Sequence, residues 1–389
     1  MKEGLTPSRE RLAELVIMLA RMKSPSRSER EVADTVVAFL NELDIVVHED
    51  DAGAASNGDT GNLWCTVDGD GPEPHLVVGS HLDTVEPTDD IEPVLDEQGI
   101  FRNTKKTILG GDDKAAIAAV LHATELLKAS GEPFPTYELL FSVSEEQGLL
   151  GIKLFGETIL RSPLGAVLDA SGAVGGMVVK APSMKILRAT FRGRAAHAGV
   201  EPERGRSAIH AAGKALAAME LGRLDKETSA NIGVIRGGVA TNIVPEVCTI
   251  EGECRGHDEE RLAEVASAMV HAIHSAAAES GVDVEVDLST EFPAFSLTSR
   301  SPALRLGRAA LTSLGLEAHA YAAGGGSDAN ILNARGLPTL NLSIGMMSVH
   351  SSDEFLALDD LEKLCALVLE LIRLAPEYAP APRTSEREP

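Results

Sequence analysis

Apolar positions at helical spacing open the chain. Leu12, Leu15, Val16 and Leu19 recur every three or four residues within 8–22, and a second such pattern occupies 29–43. Both predict helices that pack one face on a core. The period breaks over 50–61, where Asp, Gly, Ala and Asn predict a loop. A short β-rich run at 62–67 then closes in the turn Asp68-Gly69-Asp70-Gly71-Pro72. Next, Leu76-Val77-Val78 predicts a buried strand that ends in Gly-Ser-His-Leu-Asp-Thr-Val, residues 79–85.

A polar excursion over 86–106 leads into Thr107-Ile108-Leu109-Gly110-Gly111-Asp112-Asp113-Lys114, and strong helix formers follow from 115 to about 128. The apolar runs at 138–143 and 166–168 end on carboxylates, Ser144-Glu145-Glu146-Gln147-Gly148 in one case and Asp169 in the other. Strands alternating with helices predict an α/β layer with a largely parallel sheet, whose ligand sites lie beyond the carboxyl ends of its strands.

From 185 the order changes to strand 185–193, helix 206–220, strand 231–236, strand 243–255, helix 258–280 and strand 282–288. That βαββαβ order predicts a ferredoxin-like α+β domain inserted in the chain. After Glu291-Phe292-Pro293 the α/β pattern returns with a helix at 302–314, the segment Ala323-Gly324-Gly325-Gly326-Ser327-Asp328, a strand at 339–344, His350 and a last helix at 359–374. The expected domains are therefore 1–184 with 292–375, interrupted by 185–291. The stretch 376–389, rich in Pro and charge, is expected to be a disordered tail.

Composition narrows the function classes. A chain of 389 residues exceeds one ordinary core, in keeping with two domains. With 59 acidic against 35 basic residues the net charge is -24, which repels a phosphate backbone and argues against nucleic acid as a partner. Cys65, Cys248, Cys254 and Cys365 form no Cys-x-x-Cys pair, so neither a disulfide framework nor a thiolate metal site is indicated. No apolar run is long enough to span a bilayer and no export signal opens the chain, so the expectation is a cytoplasmic protein without a membrane partner.

Six polar side chains follow expected strands: His81, Asp112, Glu145, Glu146, Asp169 and His350. Each has an ordinary use alone, the His-x-Asp step in a surface loop and the Asp-Asp and Glu-Glu pairs at helix starts. As a set they can do more. Two imidazoles and three carboxylates hold two divalent ions if one carboxylate bridges, which brings the ions to about 3.5–4 Å apart. The charges balance, because the three ligand carboxylates and a bridging hydroxide offset two dications. Mixed nitrogen and oxygen ligands without thiolate favour zinc, with cobalt or manganese as substitutes.

The ordered motifs Ser-His-Leu-Asp-Thr-Val, Leu-Gly-Gly-Asp-Asp-Lys-Ala-Ala, Ser-Glu-Glu-Gln-Gly-Leu-Leu-Gly, Leu-Asp-Ala-Ser-Gly and Val-His-Ser-Ser-Asp-Glu resemble the M20 metallopeptidase family, especially its tripeptidase T-like branch. The likeness covers nearly all of the chain. It implies a zinc-peptidase-like sheet flanked by helices, an inserted lid and dimerisation domain, and two zinc ions per chain. His81 and Asp169 would bind one ion, Glu146 and His350 the other, and Asp112 would bridge them. Glu145 would be the general base and Asp83 would orient His81. His197, in Arg194-Ala195-Ala196-His197-Ala198-Gly199, would reach across a homodimer to stabilise the oxyanion. Asn242, Arg255, Gly325, Gly326 and Ser327 would contact substrate. The implied reaction is hydrolysis of a short peptide, releasing its N-terminal residue. A rival keeps the metals and removes an acyl group from an N-acyl amino acid. A more distant rival is a silent metal- or peptide-binding protein, which would have no use for Glu145.

Overall fold

Parallel pairing of short buried strands sets the architecture in the computed structural model, which describes residues 5–380. Val77–His81 lies parallel to both Tyr137–Ser142 and Gly165–Ala170, and Gly165–Ala170 is parallel to Thr339–Ser343. Every residue of Val77–His81, Tyr137–Ser142 and Thr339–Ser343 is buried, as befits strands covered on both faces. Leu63–Val67 and Gly176–Ala181 add antiparallel neighbours on either side, completing most of a nine-stranded, mainly parallel sheet. Helices Arg9–Arg21, Arg30–Glu42, Lys114–Ser130, Pro302–Ser313 and Leu358–Tyr378 contribute their apolar residues to the same aliphatic core. Parallel pairing has one consequence for chemistry: the residues that end these strands emerge at the same edge of the sheet.

The chain divides into two compact units. The first runs to Lys180 and resumes over Ser296–Ala323 and from Ser327; the second comprises Ala181–Phe295 and Gly324–Gly326. In the second unit an antiparallel sheet runs Gly222–Arg223, Thr228–Gly237, Val247–Gly256, Ser183–Arg192, Asp283–Phe292. Apart from the two-residue edge strand, its order in space is second, third, first, fourth, the ferredoxin-like arrangement. Alternate residues Leu187, Ala189 and Phe191 point into its core, against Ala208, Ala211, Ala212 and Ala215 at helical spacing. Cys248 and Cys254 join that core, and all four cysteines are free and buried.

Several regions differ from the pattern-based expectation, beginning with a short helix, Ala52–Ser56, inside the expected loop 50–61. The polar excursion holds a hairpin, Pro93–Leu95 with Ile100–Asn103, which continues into a small sheet with Phe355–Ala357 and Met346–Met347. The strand expected from 243 starts at Val247, because Pro245 lacks the N–H a ladder needs. The last helix continues to Tyr378 with Pro376 inside it, so the expected tail does not begin at 376; its residues 381–389 lie outside the described residues. No helix among the described residues is long and apolar enough to cross a membrane.

Candidate metal centre

His81 closes the strand Val77–His81, Asp169 lies near the end of Gly165–Ala170, and Glu145 and Glu146 form a single 3-10 turn just beyond Tyr137–Ser142. Asp112 lies two residues before the helix Lys114–Ser130, and His350 sits between the strands Met346–Met347 and Phe355–Ala357. The six side chains converge. His81 Nε2 is 3.6 Å from Asp112 Oδ1 and 3.6 Å from Asp169 Oδ1. His350 Nε2 is 3.5 Å from Asp112 Oδ2 and 2.8 Å from Glu146 Oε1. Asp112 thus turns one oxygen toward each imidazole. Three overlapping sets offer ligand atoms within 4.8 Å of one another: His81, Asp112 and Asp169; His81, Glu145 and Glu146; Asp112, Glu146 and His350.

Burial is graded across the cluster. His81 is 1% exposed and Glu145 8%, whereas the His350 side chain is 50% exposed. Two inner atoms, His81 Nε2 and Asp112 Oδ1, are buried without a hydrogen-bond partner. Buried polar atoms are almost always satisfied, and a cation between imidazole and carboxylate would satisfy both. The donor set, imidazole nitrogen with carboxylate oxygen, therefore fits divalent metal.

Asp83 does more than the sequence implied. The His81 ring nitrogen Nδ1 lies 2.9 Å from the Asp83 carbonyl oxygen and 3.4 Å from its carboxylate, so backbone and side chain together leave Nε2 to face the cluster. The carboxylate accepts the Glu145 N–H at 2.9 Å, the Glu146 N–H at 3.2 Å and the Ser26 hydroxyl at 2.6 Å. One buried side chain holds both the first imidazole and the glutamate turn. Glu29, also buried, supports that turn from the other side by accepting the N–H and hydroxyl of Ser144, whose φ is +49°. Asp113 does not cap its helix; its carboxylate accepts the Ser80 hydroxyl at 2.6 Å and the His81 N–H at 3.2 Å. Glu29 and Asp113 carry no local sequence signal, since their partners lie 115 and 33 residues away.

Crowded carboxylates in a dry pocket raise their own proton affinity. Burial, then repulsion from Asp169, pushes Glu145 well above the usual carboxylate range, which suits a group that must take up a proton. Burial also lifts Asp169 to about 7, although His81 opposes it. Asp112 resists the same burial because His350 and His81 hold it at about 2, and in return Asp112 and Glu146 draw His350 up to about 10. Burial works against a charged His81, but Asp112, Asp169 and Asp83 outweigh it and keep its pKa well above the usual value.

A stability trend follows with a definite sign. Glu29, raised to about 7 by burial and by Asp83, and Asp169 at about 7 both hold protons longer in the folded than in the unfolded chain. Metal-free protein therefore loses stability as pH rises from 5 to 7 through both groups. Chelated protein should melt at a higher temperature at pH 5 than at pH 7, and added zinc should raise Tm more at pH 7. Calorimetry showing the opposite slope would remove the burial argument.

In the second unit, His197 and Asn242 lie on adjoining exposed loops. Ala198 N–H donates to the Asn242 carbonyl and Val244 N–H to that of Ala196, each at 2.9 Å. Gly199 N–H donates to His197 Nδ1 at 3.2 Å, which leaves Nε2 to carry the neutral ring's proton. Arg255 places its fork on Glu253, at 2.8 and 3.1 Å. Gly325 brings backbone close to that guanidinium, since a Cβ there would lie 4.0 Å from Nη1. A Cβ on Gly326 would sit 2.5 Å from the Phe292 ring. In the first unit, Ser327 is committed to a capping box with Asn330 at the start of helix Asp328–Ala334.

Known proteins resemble this chain in sequence and fold. Residues 183–281 match the model of the M20 peptidase dimerisation domain, and 62–178 match that of peptidase family M28. The chain is 35% identical to the aminopeptidase PepT of Bacillus cereus ATCC 10987, with a TM-score of 0.84, over 95% of this chain and 99% of that one. The chain belongs to the M20 peptidase family. This M20 chain is also 33% identical to a tripeptidase of Staphylococcus aureus, with a TM-score of 0.89, over 96% of this chain and 100% of that one. A Bacillus subtilis protein, YqjE, described as uncharacterized, is 36% identical over 94% of the M20 chain and 98% of its own length. The motif-based resemblance to the peptidase T-like branch therefore holds, and the M20 chain is a hydrolase of the peptidase class.

Proposed function

We propose that the protein is a two-zinc aminopeptidase of tripeptidase type that works as a homodimer in the cytoplasm. The observation that carries the metal reading is Asp112, whose two oxygens face His81 and His350 at 3.6 and 3.5 Å. In this reading His81 and Asp169 would hold one ion, Glu146 and His350 the other, and Asp112 would serve both. Cobalt or manganese could replace zinc, since the donors are nitrogen and oxygen. Two ions held there supply Lewis acidity toward a scissile carbonyl and lower the pKa of water.

The remaining work falls to side chains of this protein. Glu145 takes a proton from the attacking water and returns it to the leaving amine. Asp83 keeps His81 and the Glu145–Glu146 turn in register. Residues 185–291 act as lid and dimerisation domain on a catalytic domain of 1–184 and 292–375, and His197 of the partner subunit donates its Nε2 proton to the developing oxyanion. In this reading Asn242, Arg255, Gly325, Gly326 and Ser327 contact the substrate, with the Arg255 fork exchanging Glu253 for a peptide carboxylate. Four free buried cysteines fit a reducing compartment.

An N-acyl amino acid deacylase could use the same metals. The names aminopeptidase and tripeptidase on relatives matched over nearly their full length support the peptide reading. A panel of di- and tripeptides with free and blocked termini, run beside N-acyl amino acids, separates the two. Free tripeptides should be cleaved fastest, with release of the N-terminal residue. Faster turnover of N-acyl amino acids than of any free peptide would overturn the assignment.

A further inference from the structure

Glu354 stands outside the set of expected metal ligands, yet it is 3% exposed and accepts four backbone N–H groups in succession. Oε2 takes Leu109 at 2.7 Å and Gly110 at 3.0 Å; Oε1 takes Gly111 at 3.1 Å and Asp112 at 3.2 Å. Consecutive N–H groups aimed at one point form an anion-binding concavity, and here the anion is a side chain of the same protein. Gly110 makes the concavity possible through its φ of +73°, where a side chain would be strained. Gly111 lets Met346 pack on it, because a Cβ there would fall 2.6 Å from the Met346 Cε.

Glu354 lies four residues after His350, and the segment that carries both is tied to a third ligand loop. Gly172 N–H, three residues beyond Asp169, donates to the Met346 carbonyl at 2.8 Å, and Gly345 N–H donates to the Gly172 carbonyl at 2.9 Å. Residues 345–354 thus touch the loops of Asp112 and Asp169 and deliver His350 themselves. We propose that Glu354 is a positioning residue of the two-metal site, clamping residues 109–112 so that the two oxygens of Asp112 stay aimed at both metal positions. This inference rests on the two-metal reading above. The clamp requires a carboxylate. An ionised glutamate offers about four lone-pair directions for four donors, whereas glutamine would set an NH2 group against two N–H groups.

The test compares the full-length parent with Glu354→Gln and Glu354→Asp. It reads zinc affinity by chelator competition, the visible spectrum of the cobalt-loaded protein, far-UV circular dichroism, and kcat and KM on a tripeptide. Glu354→Gln should keep its fold, bind metal about 10- to 100-fold more weakly, alter the cobalt spectrum and lose kcat with KM unchanged. Glu354→Asp should lie between it and the parent. A folded Glu354→Gln protein with parental metal affinity and spectrum would overturn the proposal, as would a loss of Tm alone. Should Glu354→Gln not fold, Gly110→Ala strains the concavity from its other side and carries the same expectation and the same refutation. A parent that binds no metal would bring down the two-metal reading, and this inference with it, whereas a normal parent with unaffected variants refutes only the clamp.

Discussion

Glu145→Ala is expected to lower kcat by about 10²- to 10⁴-fold while two metal ions stay bound. The side chain is 8% exposed, so the ordinary use of a Glu-Glu pair as a solvated helix start does not apply to it. Its neighbour Glu146 reaches His350 at 2.8 Å and in the proposed set takes the ligand position, which would leave Glu145 to exchange protons. The backbone of both residues hangs on Asp83, an anchor that truncating the Glu145 side chain does not touch. Metal content should therefore match the parent. Activity that survived the substitution would remove Glu145 from the base role; loss of metal would make it a ligand instead.

Asp112→Ala should be more drastic, abolishing activity and weakening both ions together. Every other ligand in the proposed set serves one ion, so Glu146→Ala should weaken one ion and leave the other. The loss at Asp112 should exceed the roughly 100-fold cost of removing an outer-sphere partner. Chelator competition on the two variants separates a shared carboxylate from an unshared one. Loss of a single ion from Asp112→Ala would show that it does not bridge.

Much of this was legible in the sequence, for physical reasons. Buried parallel strands read as short apolar runs, and parallel pairing sends their last residues to one edge, so His81, Glu145, Glu146 and Asp169 could be collected before their distances were known. The insert was visible because its elements follow a βαββαβ order distinct from the flanking α/β pattern, and they enclose a separate core. The hairpin Pro93–Leu95 and Ile100–Asn103 was not, since its strands bury only Pro93 and Phe101, and one buried position per strand sets no period. Glu354 closes the motif Val-His-Ser-Ser-Asp-Glu, yet its role was not legible there, for a different reason. Its role lies in backbone donors 242–245 residues earlier, and backbone leaves no trace in composition. Asp83 was read as an orienter of His81 alone because its hold on the Glu145–Glu146 turn is likewise a contact with distant N–H groups. Asp113, beside Asp112, looked like half of a capping pair; only the fold turns it back onto Ser80 and the His81 backbone.

The most direct measurement is anomalous diffraction across the zinc edge from crystals of zinc-loaded protein. Two peaks per chain are expected, one against His81 and Asp169 and one against Glu146 and His350, with Asp112 touching both. A single peak, or peaks that do not share Asp112, would contradict the two-metal centre.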